Sequence, residues 1–235
     1  MVVEILFPEV CGLYGDAQNY EYLKKSLPDG EFIVTDFLSE PYFVNETPDM
    51  ILIGSMSEQM QRKVISKLEP FMSRINELID KGTVILATGN AAEIFCEKIS
   101  YVTEEIETKG LSVFPFSVKT DLFKRYNGKV LGECDGIEIV AFRAQFSFIY
   151  GDNSDCCFLK MIRGDGINKE SKFEGMRKNN LICTTCLGPI LPLNPLFTEY
   201  IISLAGGKEK AAFREEAIAA YEKRLAEFHD SKVKF

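Results

Sequence analysis

The sequence predicts an α/β fold: a mostly parallel, doubly wound sheet flanked by helices, with an antiparallel extension, in one domain over residues 1–235. Three observations carry this. Short β-rich runs alternate with helical spacings through the first hundred residues. One of them, Thr83–Thr88, is apolar enough to be a central parallel strand buried on both faces. The middle of the chain then changes to short strands separated by Asn-Gly and Asp-Gly turns.

Val2–Phe7 is the first β-rich run, Tyr20–Leu27 a short helical candidate, and Glu31–Asp36 the second strand. Met50–Ile53 follows Pro48-Asp49 as a buried third strand and stops at Gly54. From Glu58 to Asp80, Met60, Val64, Ile65, Leu68, Met72, Ile75 and Ile79 fall at helical spacing, and Pro70 is expected to kink or divide that helix. The fourth strand, Thr83–Thr88, stops at Gly89-Asn90 and continues as a helix-like Ala91-Ala92-Glu93-Ile94-Phe95, with Cys96 read as core in the same helix. Leu111–Phe116, Lys129–Glu133, Ile137–Phe142 and Phe146–Tyr150 are the antiparallel candidates, and Asn180–Cys186 is a further strand. Pro189–Phe197 reads as an apolar loop held extended by its prolines, part core and part exposed patch of the kind that marks an interface. Lys208–Phe228 closes the chain as an amphipathic helix with Phe213, Ala217, Tyr221, Leu225 and Phe228 on one face. No internal repeat, low-complexity tract or linker interrupts this order.

Hydrophobic residues make up 46% and charged residues 26% of the 235, enough for a sizeable core. The net charge of −8, with acids and bases interspersed, argues against nucleic acid and against an anionic membrane, both of which require a basic surface. No apolar run approaches the ~20 residues that span a bilayer. The start, MVVEILFPEV, lacks a basic n-region and a cleavage site, so it reads as a strand and the expected location is cytoplasmic.

Seven cysteines include one C-x-x-C, Cys183-Thr184-Thr185-Cys186, and the adjacent pair Cys156-Cys157. A structural zinc site usually takes two such pairs or histidines, and the one histidine is His229 near the C-terminal end. Buried, reduced thiols are therefore the expectation, with no metal and no cofactor.

Three stretches together resemble the class I glutamine amidotransferases of the cobyric acid synthase type, with the nearest likeness to the glutaminase subunit of lipid II isoglutaminyl synthase. Leu13-Tyr14-Gly15-Asp16-Ala17-Gln18-Asn19 is similar to an L-Y-G-D-x-x-N opening. The strand–turn at Gly89 stands where the family has C-G-G-x-Q-L-L. The stretch from Gly164 to Pro195 resembles G-x-G-N-N…E-G…G-T-Y-x-H-G-P-L-L-P-x-N-P and is the most specific of the three. The likeness spans about residues 1–205 and implies a flavodoxin-like sheet. It also implies a cysteine that attacks the glutamine amide, a histidine base, and backbone N–H groups that hold the oxyanion.

The departures fall on the chemistry. The family cysteine aligns with Gly89 and the following glycine with Asn90; the histidine aligns with Leu187. The glycine-rich oxyanion turn reads Gly54-Ser55-Met56, and a pocket motif G-F-E-N-H reads Ala141-Phe142-Arg143-Ala144-Gln145. A side chain at such a turn sits in a backbone conformation that costs about 1–3 kcal/mol, whereas glycine meets no steric penalty at positive φ. Gly89 thus keeps the turn without a nucleophile. The resemblance then implies a protein that has lost glutaminase activity and serves as a binding or structural subunit. Its partner would be a Mur-ligase-like or other amide-forming synthetase, or a second copy of itself, on the face carrying Gly89 and Pro189–Phe197.

Other readings stay open at this point. An enzyme could have rebuilt a site in the same crevice, hydrolase or amidotransferase, with Cys186, Thr88 or Arg143 recruited; Cys186 would need activation by a cation such as Arg143, and is otherwise a packed strand cysteine. Arg143 would bind an anionic ligand or pair with a carboxylate. A small anionic or amino-acid ligand could be sensed in the former glutamine pocket. The turn at Gly89 lacks the glycines and lysine of a phosphate cradle. His229 could act as a base only if the C-terminal helix folded over the pocket; the simpler reading is a solvated side chain.

Overall fold

In the computed structural model, which describes residues 1–235, the strands form one six-stranded sheet and two of four strands. The large sheet contains β1 (Val2–Leu6), β2 (Glu31–Thr35), β3 (Met50–Ile53) and β4 (Val84–Thr88), joined much later in the chain by β13 (Met176–Lys178) and β14 (Leu181–Thr184). Their order is β2-β1-β3-β4-β14-β13, parallel throughout except for the antiparallel edge pair of β13 with β14. Every residue of β3, β4 and β14 is buried, as parallel strands covered on both faces require.

Helices α1 (Ala17–Ser26), α2 (Glu58–Leu68) and α3 (Met72–Lys81) lie between the early strands. Ser57 caps α2 by accepting the Met60 N–H at 3.3 Å. Pro70 sits in a 3-10 turn, Glu69–Phe71, that divides α2 from α3, and Gly82 ends α3 at φ 84°.

Between β4 and β13 the chain builds β5 (Cys96–Tyr101), β6 (Ile106–Lys109), β7 (Phe114–Thr120), β8 (Tyr126–Cys134), β9 (Ile137–Gln145), β10 (Ser147–Tyr150), β11 (Leu159–Arg163) and β12 (Phe173–Glu174). The antiparallel part therefore takes the form of two separate sheets, β10-β7-β5-β6 and β12-β11-β8-β9. The alternation of the large sheet sorts them. Ile51, Ile53, Ile85 and Ala87 share a core with Ile99, Val118 and Ile149. Met50, Leu52, Val84 and Leu86, on the opposite face, share one with Val130, Ile139 and Ala141.

Several expectations need correction. The helix after Gly89 is one 3-10 segment, Gly89–Phe95, and Cys96 begins a strand. The strand expected at Leu111–Phe116 starts at Phe114, because residues 110–113 hydrogen-bond back to Ile94–Glu97. Asn127-Gly128 lies inside β8 and not at a turn, whereas Asp135-Gly136, both at positive φ, is the β8–β9 turn. Pro189–Phe197 is no extended loop: it folds into α4 (Ile190–Leu193) and the start of α5 (Pro195–Leu204), with Pro195 in the first turn. Ile190, Leu191 and Phe197 are buried there and Leu193 and Leu196 half-buried, so the core reading holds and the exposed patch is absent. The last helix, α6 (Arg214–His229), begins later than expected; Phe213 lies before it at positive φ and is 67% exposed, while Tyr221 and Phe228 are buried as their spacing requires.

Candidate functional site

β3 and β4 pair side by side up to Ile53 and Ala87, and both chains turn at that end of the sheet. Beyond β3, Gly54-Ser55-Met56 leads to α2. Beyond β4, Gly89 stands at φ +61° and opens the 3-10 segment. This is the strand–turn–helix geometry that can expose a side chain at the end of a sheet. Here there is no room for one. A Cβ on Gly89 would come 2.7 Å from Ser55 Cβ and 3.1 Å from Leu187 Cδ2.

The polar groups around the turn are bonded to one another. The Ser55 N–H donates to Asp16 Oδ2 at 2.8 Å, and Ser55 Oγ donates to the Leu13 carbonyl at 2.7 Å. Thr88 Oγ1 also donates to Asp16 Oδ2, at 2.8 Å, and Asn19 Nδ2 donates to Oδ1 at 3.1 Å. Burial pushes the Asp16 carboxyl pKa up, and the bonds from Ser55, Thr88 and Asn19 oppose that shift. The Asn90 side chain grips the main chain of one residue through both its polar groups: Oδ1 accepts the Met56 N–H at 2.9 Å, and Nδ2 donates to the Met56 carbonyl at 2.8 Å. The N–H groups of Ser55 and Met56, which an oxyanion on this turn would use, both have partners within the protein.

Below the turn lies a network that centres on Glu93. Its carboxylate accepts from Gln61 Nε2 at 2.9 Å and from Ser147 Oγ; Gln61 Nε2 also reaches the Asn90 carbonyl at 2.7 Å, and Tyr101 Oη donates to Gln61 Oε1 at 2.8 Å. Glu93 is 2% exposed, and desolvation lifts its pKa to about 7 against the hydrogen bonds that favour the anion. The sequence reading missed this group. A lone acid in the apolar run from Thr83 to Phe95 was the available signal.

The remaining candidates do not assemble into a catalytic set. Leu187 is buried at 4% exposure and paired through both main-chain groups with Phe142, at 2.8 and 3.1 Å. Arg143 does not face the crevice. Its Nη1 donates to the Asp165 and Gly166 carbonyls, each at 2.7 Å, and its Nη2 lies 3.6 Å from Glu174 Oε1. Glu174 is thus the carboxylate nearest its guanidinium, whose Nε and Nη2 are buried without a hydrogen-bond partner. Glu174 in turn accepts from Thr184 and from Thr185 at 2.9–3.0 Å. Gln145 borders the crevice, with Nε2 on the Ser147 carbonyl and Oε1 buried without a hydrogen-bond partner. Cys186 is fully buried, and desolvation pushes its thiol pKa far up, which disfavours the thiolate a nucleophile needs. Thr88 Oγ1 is occupied on Asp16. His229 Nε2 lies 2.9 Å from Glu138 at the end of α6, away from the crevice.

What remains of the crevice is a cavity of about 20 Å³ bordered by Tyr14, Ser55, Glu58, Gly89, Gln145 and Leu187 among others, with no Lys, Arg or His in its wall. That is room for a water molecule or two. Phe148 packs on Tyr126 and does not border this cavity. All seven cysteines are free thiols, and no three His, Cys, Asp or Glu side chains cluster as a metal site. No helix is long and apolar enough to cross a membrane.

A parallel sheet in the order 2-1-3-4-5 with an elbow-like turn after its fourth strand defines a flavodoxin-like, class I glutamine amidotransferase fold. Solved structures agree. PurLQS from Thermotoga maritima superposes with a TM-score of 0.54 at 11% identity over 95% of this chain and 98% of that one. A glutamine amidotransferase superposes with a TM-score of 0.55 at 12% identity over 88% and 100%. No protein-family profile matches the chain. More particularly, the chain is related to the lipid II isoglutaminyl synthase (glutamine-hydrolyzing) subunit GatD of Staphylococcus aureus strain N315, at 27% identity over 172 residues, 72% of this chain and 69% of that protein.

Proposed function

We propose that this glutamine amidotransferase-like protein has lost glutaminase chemistry and acts, as one domain, as a binding or structural subunit beside a Mur-ligase-like or other amide-forming synthetase. The observation that carries the reading is the filled turn. Ser55 and Leu187 occupy the space a side chain on Gly89 would need, at 2.7 and 3.1 Å from its Cβ position. The Asn90 amide and Asp16 carboxylate take the two N–H groups that an oxyanion would use. The relative GatD is by name a subunit of a synthase, which supports a subunit role here. A rebuilt enzyme loses ground because Cys186 is buried and Thr88 and Arg143 are both buried and hydrogen-bonded within the protein.

Purified protein incubated with glutamine tests this directly. No ammonia release above a heat-killed control is expected, and no adduct at residue 89 with a glutamine-analogue electrophile. Glutamine-dependent release would overturn the reading. Co-purification of an ATP-dependent ligase from the native source supports the subunit role; recovery of the chain alone speaks against it.

A further inference from the structure

The edge strand β6 carries a pattern that the crevice does not explain. It is bonded only to β5, at the end of its sheet, and Ile106, Glu107 and Lys109 are exposed. The Gly110 N–H donates to the Glu97 carbonyl, and 110 and 97 continue the β5–β6 register of Lys98↔Lys109 and Ile99↔Thr108. Hydrogen-bonded and non-bonded pairs alternate in an antiparallel ladder. The main-chain groups of Thr108 and Ile106 therefore face β5, and those of Glu107 and Lys109 face outward. No turn, loop or cap bond reaches the main chain of either outward residue.

We propose that β6 is a homodimer edge, pairing antiparallel with β6 of a second copy about a two-fold axis at Thr108. In that register Glu107 stands opposite Lys109 of the other copy, and Lys109 opposite its Glu107. Each of these two pairs joins outward-facing main-chain groups, so both close hydrogen-bonded rings. Centring the axis on Glu107 sets Glu against Glu, and centring it on Lys109 sets Lys against Lys. An axis between residues opposes an outward group to an inward one and forms no ladder. One register alone satisfies both charge and main chain. A lysine on an edge strand ordinarily discourages pairing; here the partner supplies its counter-charge. The self-complementary contact is that of an isologous two-fold interface. A four-residue edge gives a concentration-dependent dimer, not an obligate one.

Light scattering and sedimentation over a concentration series on the full chain test this, with wild type, Lys109→Glu, and the swap Glu107→Lys/Lys109→Glu. Lys109→Glu turns two attractive cross-strand pairs into repulsive ones and should weaken dimerisation about tenfold or more; the swap should restore it. Both sites are exposed; the swap also removes the exposed bonds from Lys98 and Ser100 to Glu107, each at 3.2 Å, and cooperative circular dichroism melts will confirm that the variants fold. Amide exchange at Glu107 and Lys109 in the wild type should slow as protein concentration rises. The proposal is overturned by a monomer throughout the series, by a dimer indifferent to Lys109→Glu, or by concentration-independent exchange at both amides, any of which leaves β6 a free edge or one used by a different chain.

Discussion

Replacing Glu93 with glutamine should make the protein more stable at pH 8 and remove a pH dependence between about 4.5 and 7. The folded-state pKa is about 7 against an ordinary value of 4.5, and desolvation is the principal cause. A carboxyl whose folded pKa is raised binds its proton more tightly folded than unfolded. Its contribution is therefore fully present below pH 4.5 and is lost as pH rises through 7. A difference of about 2.5 pKa units at 1.36 kcal/mol each gives about 3 kcal/mol lost over that window. Glutamine is neutral at all pH values and fits the same bonds: its oxygen can accept from Gln61 Nε2, and its amide can donate to Ser147 Oγ, whose hydroxyl rotates to accept. Urea denaturation at pH 5 and pH 8 supplies the assay. The quantity of interest is the change in the difference between variant and wild type, because Asp16 and Glu4 also have raised pKa values and titrate in both proteins. A variant with the wild-type pH dependence, or one that loses stability at pH 8, would refute an ionisable Glu93 held against desolvation.

Gly89→Cys with Leu187→His should not restore turnover, because the new Cβ meets Ser55 at 2.7 Å and the neighbouring N–H groups are taken; glutaminase activity above 1 s⁻¹, about the low end for enzymes, would show the site is intact. Asn90→Ala leaves both main-chain polar groups of Met56 without their partner and should cost about 1–3 kcal/mol by denaturant melt; a neutral result would show that water replaces the amide. Titration with a thiol reagent under native conditions should modify Cys156 and Cys157, the two half-exposed cysteines, and reach the other five only on unfolding. Fast modification of Cys186 would reopen the rebuilt-enzyme reading.

The parallel sheet was legible because its strands are short, apolar and bounded by glycine or proline: Val2–Leu6, Met50–Ile53 and Val84–Thr88 are all foreseen within a residue. The middle was less legible for a physical reason. Cys96–Tyr101 mixes buried Cys96, Ile99 and Tyr101 with exposed Glu97 and Lys98, a broken alternation whose partners lie in later strands. Asn127-Gly128 carries as strong a short-range turn signal as Asp135-Gly136, yet Tyr126 lies across Gly128 and the pair continues the β8 ladder. At the site, the sequence shows that Gly89 and Leu187 cannot do acid–base or nucleophilic work. It does not show that Arg143 turns away toward Glu174, because that depends on where the Asp165-Gly166 carbonyls fall in space.

The closure of the crevice is shared among segments far apart in the chain. Asp16, before α1, holds Ser55 after β3 and Thr88 at the end of β4. Asn90, after β4, holds Met56 after β3, and Gln61 of α2 joins Asn90 to Glu93. A side chain placed on Gly89 would have to displace Ser55, and Ser55 is tied to both Asp16 and Leu13. The same bonds that leave no space for a nucleophile thus fasten the loop before α1, the turn after β3 and the start of the 3-10 segment to one another. With glycine at φ +61° this turn stores no steric strain, and its polar groups hold the C-terminal edge of the sheet together.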